Sequence, residues 1–147
     1  MHKGYNVQPK PIYLHITTVG GSVSAAFRLI DNIKFSKIPV YTVVEGYAYS
    51  AGSMILLAGK KRFMTEHSFV LIHQLRQTSC GTETYSEMLD SVENSTKYHN
   101  MMKKWYLENT NNKMKTKDIE KLLSSDKELD LQTCIKFGLV DEIYKGQ

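Results

Sequence analysis

The chain has 147 residues, of which 41% are hydrophobic, and this is enough to build one packed core without metals or disulfides. Its formal net charge of +4 comes from 19 basic and 15 acidic residues spread along the chain. The chain lacks the long basic block and the aromatic-and-basic pattern of nucleic-acid binding proteins. The longest apolar stretch, residues 50–59, is about half of what a membrane span needs. We therefore predict a cytoplasmic protein that binds neither nucleic acid nor a membrane.

Residues 1–11 are polar and contain two prolines, so we predict a flexible lead-in followed by a single domain over residues 12–147. The start of the chain has no apolar run behind its charge and does not look like a secretory signal. Cys80 and Cys134 lie far apart, and neither they nor the histidines have the spacing of metal ligands. We predict free thiols, with a single disulfide as the alternative, and no metal site.

The predicted elements alternate between strands and helices. Residues 12–17 are rich in strand-forming side chains and lead through Gly20 and Gly21 into a helix that Ser22 caps. The later elements are a strand at 40–45 ended by Gly46, a helix at 54–59, strands at 61–64 and 69–72, a long helix at 84–109, and helices at 117–123 and 131–137. Successive strand-and-helix units predict an α/β domain with largely parallel strand pairing.

Ser50 stands in a segment of small residues, where the second strand turns into a helix. A serine at such a junction has its hydroxyl near unpaired backbone amides, with room for a substrate backbone. The same features describe an ordinary helix N-cap, which is the simpler interpretation of the local sequence. The pair Gly20 and Gly21 is also ambiguous, because it can expose N–H groups toward an oxyanion or simply form a tight turn.

His73 directly follows an apolar strand, and an imidazole is well matched to taking a proton from a serine hydroxyl at neutral pH. A structural histidine is the alternative. Three acids in one short segment, Asp126, Glu128 and Asp130, are candidates to orient this base. Asp130 is predicted to cap the last helix, which leaves Asp126 free in a loop, although spacing alone does not decide between them.

Four motifs occur in order along the chain. They are the strand and glycine turn at 12–23, the small-residue segment at 47–52, the strand and histidine at 60–74, and the aspartate at position 126. Together they resemble the proteolytic subunit of the Clp protease, whose turn reads Pro-Gly-Gly and whose nucleophile segment reads Ala-Ala-Ser-Met-Gly. The separation of Gly20 from Ser50 fits this family without a gap.

The resemblance implies the ClpP/crotonase fold, an α/β spiral of repeated strand-strand-helix units with a protruding handle region at about residues 74–109. It also implies a serine endopeptidase triad in which Ser50 is the nucleophile, His73 the general base and Asp126 the residue that orients the base. The oxyanion hole would consist of the backbone N–H groups at positions 21 and 51, that is, of Gly21 and Ala51. No cofactor is implied for this chain.

In the family, seven subunits form a ring and two rings stack into a tetradecamer that encloses the active sites. The long helix would then meet the opposite ring. An AAA+ unfoldase, which uses the ATP, feeds protein chains into the chamber. Tyr13, Phe35 and Phe63 match aromatic positions of the pocket where unfoldase loops dock, and His15 replaces another aromatic residue there.

The chain departs from the family's pattern in three places. Residues 75–81 replace a proline and a glycine-rich strand that hold the substrate as an added β-strand, so Arg76 is expected to alter specificity or a ring contact. Ser125 stands where many relatives have an arginine that pairs across the rings. The N-terminus is also shortened, with eleven residues before the first matching strand.

Two alternative functions are open. A catalytically silent ring component or scaffold would keep the fold and lose turnover, but the retention of all three triad positions argues against it. A crotonase-like acyl-CoA enzyme would share the fold and the use of glycine-turn amides, but it would not need three residues in triad order.

Overall fold

The structure is a computed structural model that describes residue 7 and residues 9–146. Most of the predicted lead-in, residues 1–6 and 8, lies outside the described residues, so this prediction and the predicted domain boundary stay predictions. The elements are β1 (Ile12–Thr18), α1 (Val23–Phe35), β2 (Val40–Tyr49), α2 (Ala51–Leu56), β3 (Lys61–Met64), β4 (Phe69–Leu71), α3 (Tyr85–Glu108), α4 (Thr116–Leu123), β5 (Glu128–Leu129), α5 (Leu131–Lys136) and β6 (Glu142–Ile143).

Strand β2 lies at the centre of the sheet. Its first half runs parallel to β1 on one side and to β3 on the other, and its second half runs parallel to β4. Strand β6 extends the sheet beyond β3 in parallel, and β5 pairs antiparallel with β4. The prediction of an α/β domain with largely parallel pairing is confirmed. The last residues of β2 and β4 lie side by side, because Tyr49 pairs with Leu71.

Gly46 lies where β2 changes partners. The prediction that it ends the strand is wrong, because β2 continues to Tyr49. Gly46 has a φ angle of 76°, and its N–H donates to Ser68 Oγ at 2.8 Å. The register with β1 shifts across this region. A glycine that adopts this left-handed conformation forms a bulge, and strand pairing resumes beyond it.

Helix α3 is anchored at its C-terminal end and exposed over most of its length. The predicted helix at 84–109 is confirmed: Thr84 caps its start in a capping box with Glu87, and Asn109 follows its last residue. Met102 and Tyr106 are buried in the core. The exposed apolar side chains of α3 are Tyr85, Met88, Leu89, Val92, Tyr98 and Met101. An exposed apolar surface of this extent is typical of a contact with another chain.

The shorter helices follow their caps. Ser22 caps α1 and Asp130 caps α5, as predicted. Helix α2 begins at Ala51, three residues before the predicted start, so Ser50 itself occupies the N-cap position. Both cysteines are free thiols, and burial raises the pKa of Cys134 to about 12.

Among the described residues, no helix is both long enough and apolar enough to cross a membrane. The same part of the chain contains no group of His, Cys, Asp and Glu side chains that could hold a metal ion.

Candidate active site

Ser50 adopts a backbone conformation that is rare for a residue with a side chain. Its φ and ψ angles are 53° and −121°, and such conformations cost on the order of 1–3 kcal/mol. Its N–H donates to the Leu71 carbonyl at 2.8 Å, which fixes the turn to the end of β4. The Ser50 hydroxyl makes no capping hydrogen bond. The simple N-cap interpretation therefore does not account for this serine, whose hydroxyl stays available for chemistry.

The strained turn is braced from below by helix α3. The Ser50 carbonyl accepts from the Ser53 hydroxyl at 2.6 Å, and Ser53 Oγ lies 2.6 Å from the hydroxyl oxygen of Tyr106. Because the Ser53 proton goes to Ser50, the Tyr106 hydroxyl donates to Ser53. Tyr106 is fully buried, and burial raises the pKa of its hydroxyl. Trp105 adds a second link, since its Nε1 donates to the Met54 carbonyl at 3.0 Å.

Neither Ser53 nor Tyr106 was singled out from the sequence. Ser53 lies three residues after Ser50, where a side chain can reach back to the start of a helix, and this spacing was the available signal. Tyr106 lies within the predicted long helix at 84–109, and no local pattern indicates the partner of its hydroxyl.

The turn at Gly20 and Gly21 packs directly against Ser50. A Cβ atom at Gly20 would lie 2.8 Å from the Cβ of Ser50 and 2.7 Å from the Tyr49 carbonyl oxygen, so only glycine fits there. Within the described residues, the N–H of Gly21 has no hydrogen-bond acceptor. Ala51 is the first residue of α2, so its N–H has no partner within the helix. In the described part of the chain, the N–H groups of Gly21, next to the residue that packs on Ser50, and of Ala51, next to Ser50 itself, thus have no acceptor.

His73 reaches the site from the neighbouring strand end. It follows β4 by two residues, and the pairing of Tyr49 with Leu71 brings it beside Ser50. The Nδ1 atom of His73 is buried and has no hydrogen-bond partner among the described residues. A buried polar atom without a partner costs about 1–3 kcal/mol. In a Ser-His-Asp triad, this is the atom that donates to the carboxylate.

Asp126 lies on the backbone segment that faces His73. Strands β4 and β5 are antiparallel, with Leu71 opposite Glu128, and the same register continued by two residues sets Asp126 opposite His73. The hydrogen bond from the Gln74 N–H to the Leu123 carbonyl, 2.9 Å long, holds the two segments together beyond the strands. The backbone thus brings the predicted base and acid together.

The carboxylate of Asp126 contacts Arg76 instead of the base. Nη2 of Arg76 lies 3.1 Å from Oδ1 and 3.3 Å from Oδ2 of Asp126. The two side chains are 70% and 65% exposed, and such a surface ion pair contributes about 0–1 kcal/mol. Within the described residues, His73 has no hydrogen bond to Asp126 or to the Ser50 hydroxyl. The three triad positions are neighbours, but their side chains are not joined in this conformation.

The two alternative acids have partners elsewhere. Glu128 accepts from the Tyr49 hydroxyl, and this hydrogen bond is the largest cause of the raised pKa of Tyr49. Asp130 accepts from the Thr133 N–H at 2.9 Å as the cap of α5, and hydrogen bonding to Thr133 lowers the pKa of Asp130. Asp126 is the acid among the three that has no capping or tyrosine partner.

A groove of about 400 Å³ runs past the glycine turn. Its walls are the turn at residues 21–24, the segment at residues 75–77, and the face of α3 that carries Ser91, Asn94, Ser95 and Tyr98. Gln77 fixes the second wall to the third, since its Nε2 donates to Ser91 Oγ at 2.6 Å and its Oε1 accepts from the Ser95 hydroxyl. The groove lies beside the triad positions in the chain, since Gly21 and residues 75–77 line it, although Ser50, His73 and Asp126 do not. A larger cavity of about 850 Å³ between α1 and α3 is lined neither by a triad residue nor by residues 75–77.

Comparison with known proteins decides the family. Residues 5–147 match the family model described as Clp protease. The chain belongs to the Clp protease family. The ATP-dependent Clp protease proteolytic subunit of Streptococcus mutans is 35% identical over 139 residues, which cover 93% of this chain and 70% of that protein. The protein of the same name from Streptococcus pneumoniae is 34% identical over 136 residues, covering 91% and 68%.

A solved structure agrees with this assignment. A mutant of ClpP1 from Listeria monocytogenes superposes with a TM-score of 0.81 at 27% identity, covering 93% of this chain and 75% of that one. The predicted ClpP/crotonase fold with a protruding long helix is confirmed. Membership of the Clp protease family identifies this chain as a protease. Neither the silent scaffold nor the crotonase-like enzyme is favoured by these comparisons.

Two of the three family positions predicted for unfoldase docking lie together. The rings of Tyr13 and Phe63 stack with centroids 6.3 Å apart, and Tyr41 meets Tyr13 edge-on at 5.4 Å. Tyr144 completes this aromatic cluster, 6.0 Å from Phe63. Tyr41 was missed from the sequence, although parallel pairing of the first two strands was the signal, since Tyr13 and Tyr41 are register partners.

Phe35 is separate from the aromatic cluster. It is the last residue of α1 and is 82% exposed. His15, which replaces an aromatic residue of the family, bonds Glu45 at 3.1 Å and meets Tyr144 edge-on. The surface around the aromatic cluster therefore carries a polar pair beside its rings.

Proposed function

We propose that this chain is a serine-type endopeptidase in which Ser50 is the nucleophile, His73 the general base and Asp126 the acid that orients the base. The observation that carries the proposal is the turn at Ser50. A strained serine without a capping bond, on a strand end paired with the strand that precedes His73, is an arrangement suited to a nucleophile. A serine that served only as a helix cap would use its hydroxyl on the helix amides.

The chemistry follows from these positions. Ser50 Oγ attacks the scissile carbonyl while His73 Nε2 takes its proton, and the imidazolium then protonates the leaving amine. Water hydrolyses the acyl-enzyme by the same sequence of proton transfers. The N–H groups of Gly21 and Ala51 would stabilise the oxyanion, each contributing about 3–4 kcal/mol in the transition state. The proposed reaction uses no cofactor.

The substrate peptide would bind in the groove between the glycine turn and residues 75–77. The segment at residues 75–77 lies outside the helices and strands, so its backbone groups would be available to pair with the backbone of a peptide, which gives affinity for many sequences. The side of the groove formed by α3 is rich in small polar residues, so it leaves room for substrate side chains.

We also propose that the chain acts in an assembly of identical subunits, a heptameric ring or two stacked rings. Support comes from the exposed apolar side chains of α3, which a second ring would cover, and from relatives named as subunits of an ATP-dependent protease. The aromatic cluster that includes Tyr13 and Phe63 would take the docking loop of an AAA+ unfoldase, and the unfoldase would use the ATP. Phe35 lies apart from this cluster and would not contact a loop bound to it on the same subunit.

Labelling with a fluorophosphonate probe tests the nucleophile. We expect the assembled protein to be modified at Ser50 and not at Ser22, a matched serine whose hydroxyl is used as a helix cap. Ser50→Ala should lower peptide cleavage on the order of a million-fold, because a triad acts as a unit, while light scattering shows unchanged assembly. An assembled protein that is unlabelled at Ser50, or a fully active Ser50→Ala variant, would refute the proposal.

A further inference from the structure

Three neighbouring groups around the base have an unusual set of partners. The Nδ1 atom of His73 is buried without a partner, the carboxylate of Asp126 is paired outside the base, and Arg76 is the group that holds it. Each of these observations concerns a residue within three positions of the base or opposite to it in the sheet register. The arrangement leaves vacant the hydrogen bond that would complete the triad.

We propose that Arg76 is a positioning residue that holds Asp126 away from His73, so that transfer of the carboxylate from Arg76 to His73 Nδ1 completes the triad. The inference rests on the proposed function and deepens it. The described conformation is then a resting form of the site. Arg76 does not contact the reacting atoms, and it acts through Asp126 alone.

The geometry requires an exchange. Both oxygens of Asp126 face the same guanidinium nitrogen, at 3.1 and 3.3 Å, so the carboxylate plane is turned toward Arg76. Neither oxygen bonds His73 Nδ1 in this arrangement, so the carboxylate has to turn from Arg76 toward the imidazole in order to accept from it. The backbone does not need to move far, because the register already sets Asp126 opposite His73 and the Gln74–Leu123 hydrogen bond joins the two segments.

The Asp126 carboxylate can leave Arg76 readily, because the ion pair between them is weak. Both members of the ion pair are largely exposed, so water competes for each of them. The new partner of the carboxylate is shielded from water, since Nδ1 of His73 is buried. A charge-assisted hydrogen bond there is stronger than the same contact at the surface. The ion pair with Arg76 therefore lowers the fraction of molecules in which Asp126 bonds His73, and it does not prevent that bond.

The segment that carries Arg76 is linked to helix α3. It lies between Leu75 and Gln77 in the groove wall, and Gln77 ties this wall to α3 through Ser91 and Ser95. A shift of α3 would move the segment that carries Arg76. The carboxylate is released when that segment moves.

Substitution of Arg76 tests the proposal on the assembled full chain with a short fluorogenic peptide. Arg76→Gln removes the charge and should raise kcat roughly two- to fivefold, the range over which an exposed ion pair shifts an equilibrium; kcat is the readout, because Arg76 also lines the groove and a change in KM alone reports only on substrate binding. Arg76→Lys keeps the charge and should return kcat toward the parent value. Lys127→Gln is the matched control, because Lys127 is an exposed cation next to Asp126 that makes no ion pair among the described residues.

A spectroscopic readout separates positioning from a general structural role. Proton NMR should show the low-field Nδ1 proton of His73, typical of a hydrogen bond to a carboxylate, more strongly in Arg76→Gln than in the parent. Combining Arg76→Gln with Asp126→Asn should abolish the gain in kcat, since no carboxylate is left to release.

An unchanged or lowered kcat in Arg76→Gln, or a change in KM alone, would overturn the inference. Fluorophosphonate labelling keeps this outcome distinct from failure of the proposed function. If the parent protein is labelled at Ser50 and Arg76→Gln gains nothing, only the role of Arg76 is wrong. If the parent protein is not labelled, the triad itself is wrong.

Discussion

The two sides of the candidate active site are held in different ways. On the nucleophile side, Ser50 is fixed by main-chain hydrogen bonds, by the close approach of Gly20 and by buried side chains of α3. On the acid side, Asp126 is held by one exposed ion pair with Arg76. A rigid side and an adjustable side thus meet at His73.

This difference matches what each side must do. In the proposed mechanism the oxyanion hole works only if its donors are fixed before the reaction, so the two turns that bear Gly21 and Ala51 have to be rigid. The strain at Ser50 also needs surroundings that keep the residue in a rare conformation. The acid only has to orient an imidazole, and a single rotation of its side chain is enough to make or break that contact.

Apart from the loss of Ser50 itself, the largest effect is expected on the adjustable side. Asp126→Asn should lower kcat on the order of 10⁴-fold, because an amide no longer stabilises the imidazolium and favours the wrong tautomer of His73. Glu128→Gln and Asp130→Asn are the matched controls, and both should retain most of the activity. Steady-state cleavage of a short peptide by the assembled protein measures all three. A larger loss in either control than in Asp126→Asn would mean that the acid changed in that control, and not Asp126, orients His73.

An intermediate effect is expected when the rigid side is disturbed. Gly20→Ala places a methyl group against the Cβ of Ser50 and the Tyr49 carbonyl, so the turn must shift. A displacement of about 1 Å at the reacting atom can lower kcat about 10²-fold. Gly81→Ala is the control, because Gly81 also has a positive φ but has open space around it. Equal losses of activity in the two variants would show that the contact with Ser50 is unimportant.

The smallest effect is expected from the brace beneath the turn. Tyr106→Phe removes the hydroxyl that donates to Ser53 and keeps the buried ring, so unfolding should become easier by about 1 kcal/mol. The kcat should fall only a few-fold, because Ser53 can still bond the Ser50 carbonyl. Tyr85→Phe serves as control, since Tyr85 lies on the same helix, is exposed and has no hydroxyl hydrogen bond within the described residues. Chemical denaturation and peptide cleavage would be measured together, and a Tyr85→Phe loss of equal size would contradict the role of Tyr106 as a support for the turn.

Much of the fold was readable from the sequence because it depends on local signals. Apolar periodicity predicted the long helix, and Ser22 and Asp130 cap their helices as predicted, while Thr84, predicted inside the long helix, caps it instead. The bulge at Gly46 was misread as a strand end. A glycine with positive φ can end a strand or interrupt it, and the pairing partner that decides between these outcomes lies more than twenty residues away.

The candidate site was only partly readable. Family motifs singled out Ser50, His73 and Asp126 as candidates, and the fold brings these positions together. The partner of Asp126 was not predicted, because Arg76 lies fifty residues earlier in the chain and no local pattern links the two. The bond between Ser53 and Tyr106 was missed for the same reason: residues distant in sequence become partners only when helix α3 packs on the turn.

Helix α3 has a mechanical consequence for these two sides. It has 24 residues and is therefore about 36 Å long. Its last turns support the Ser50 turn through Tyr106, and its middle holds the segment of Arg76 through Ser91 and Ser95. A displacement of the exposed N-terminal half of α3 would therefore move the segment that carries Arg76, while the proposed nucleophile Ser50 stays fixed by the contact of its turn with Tyr106.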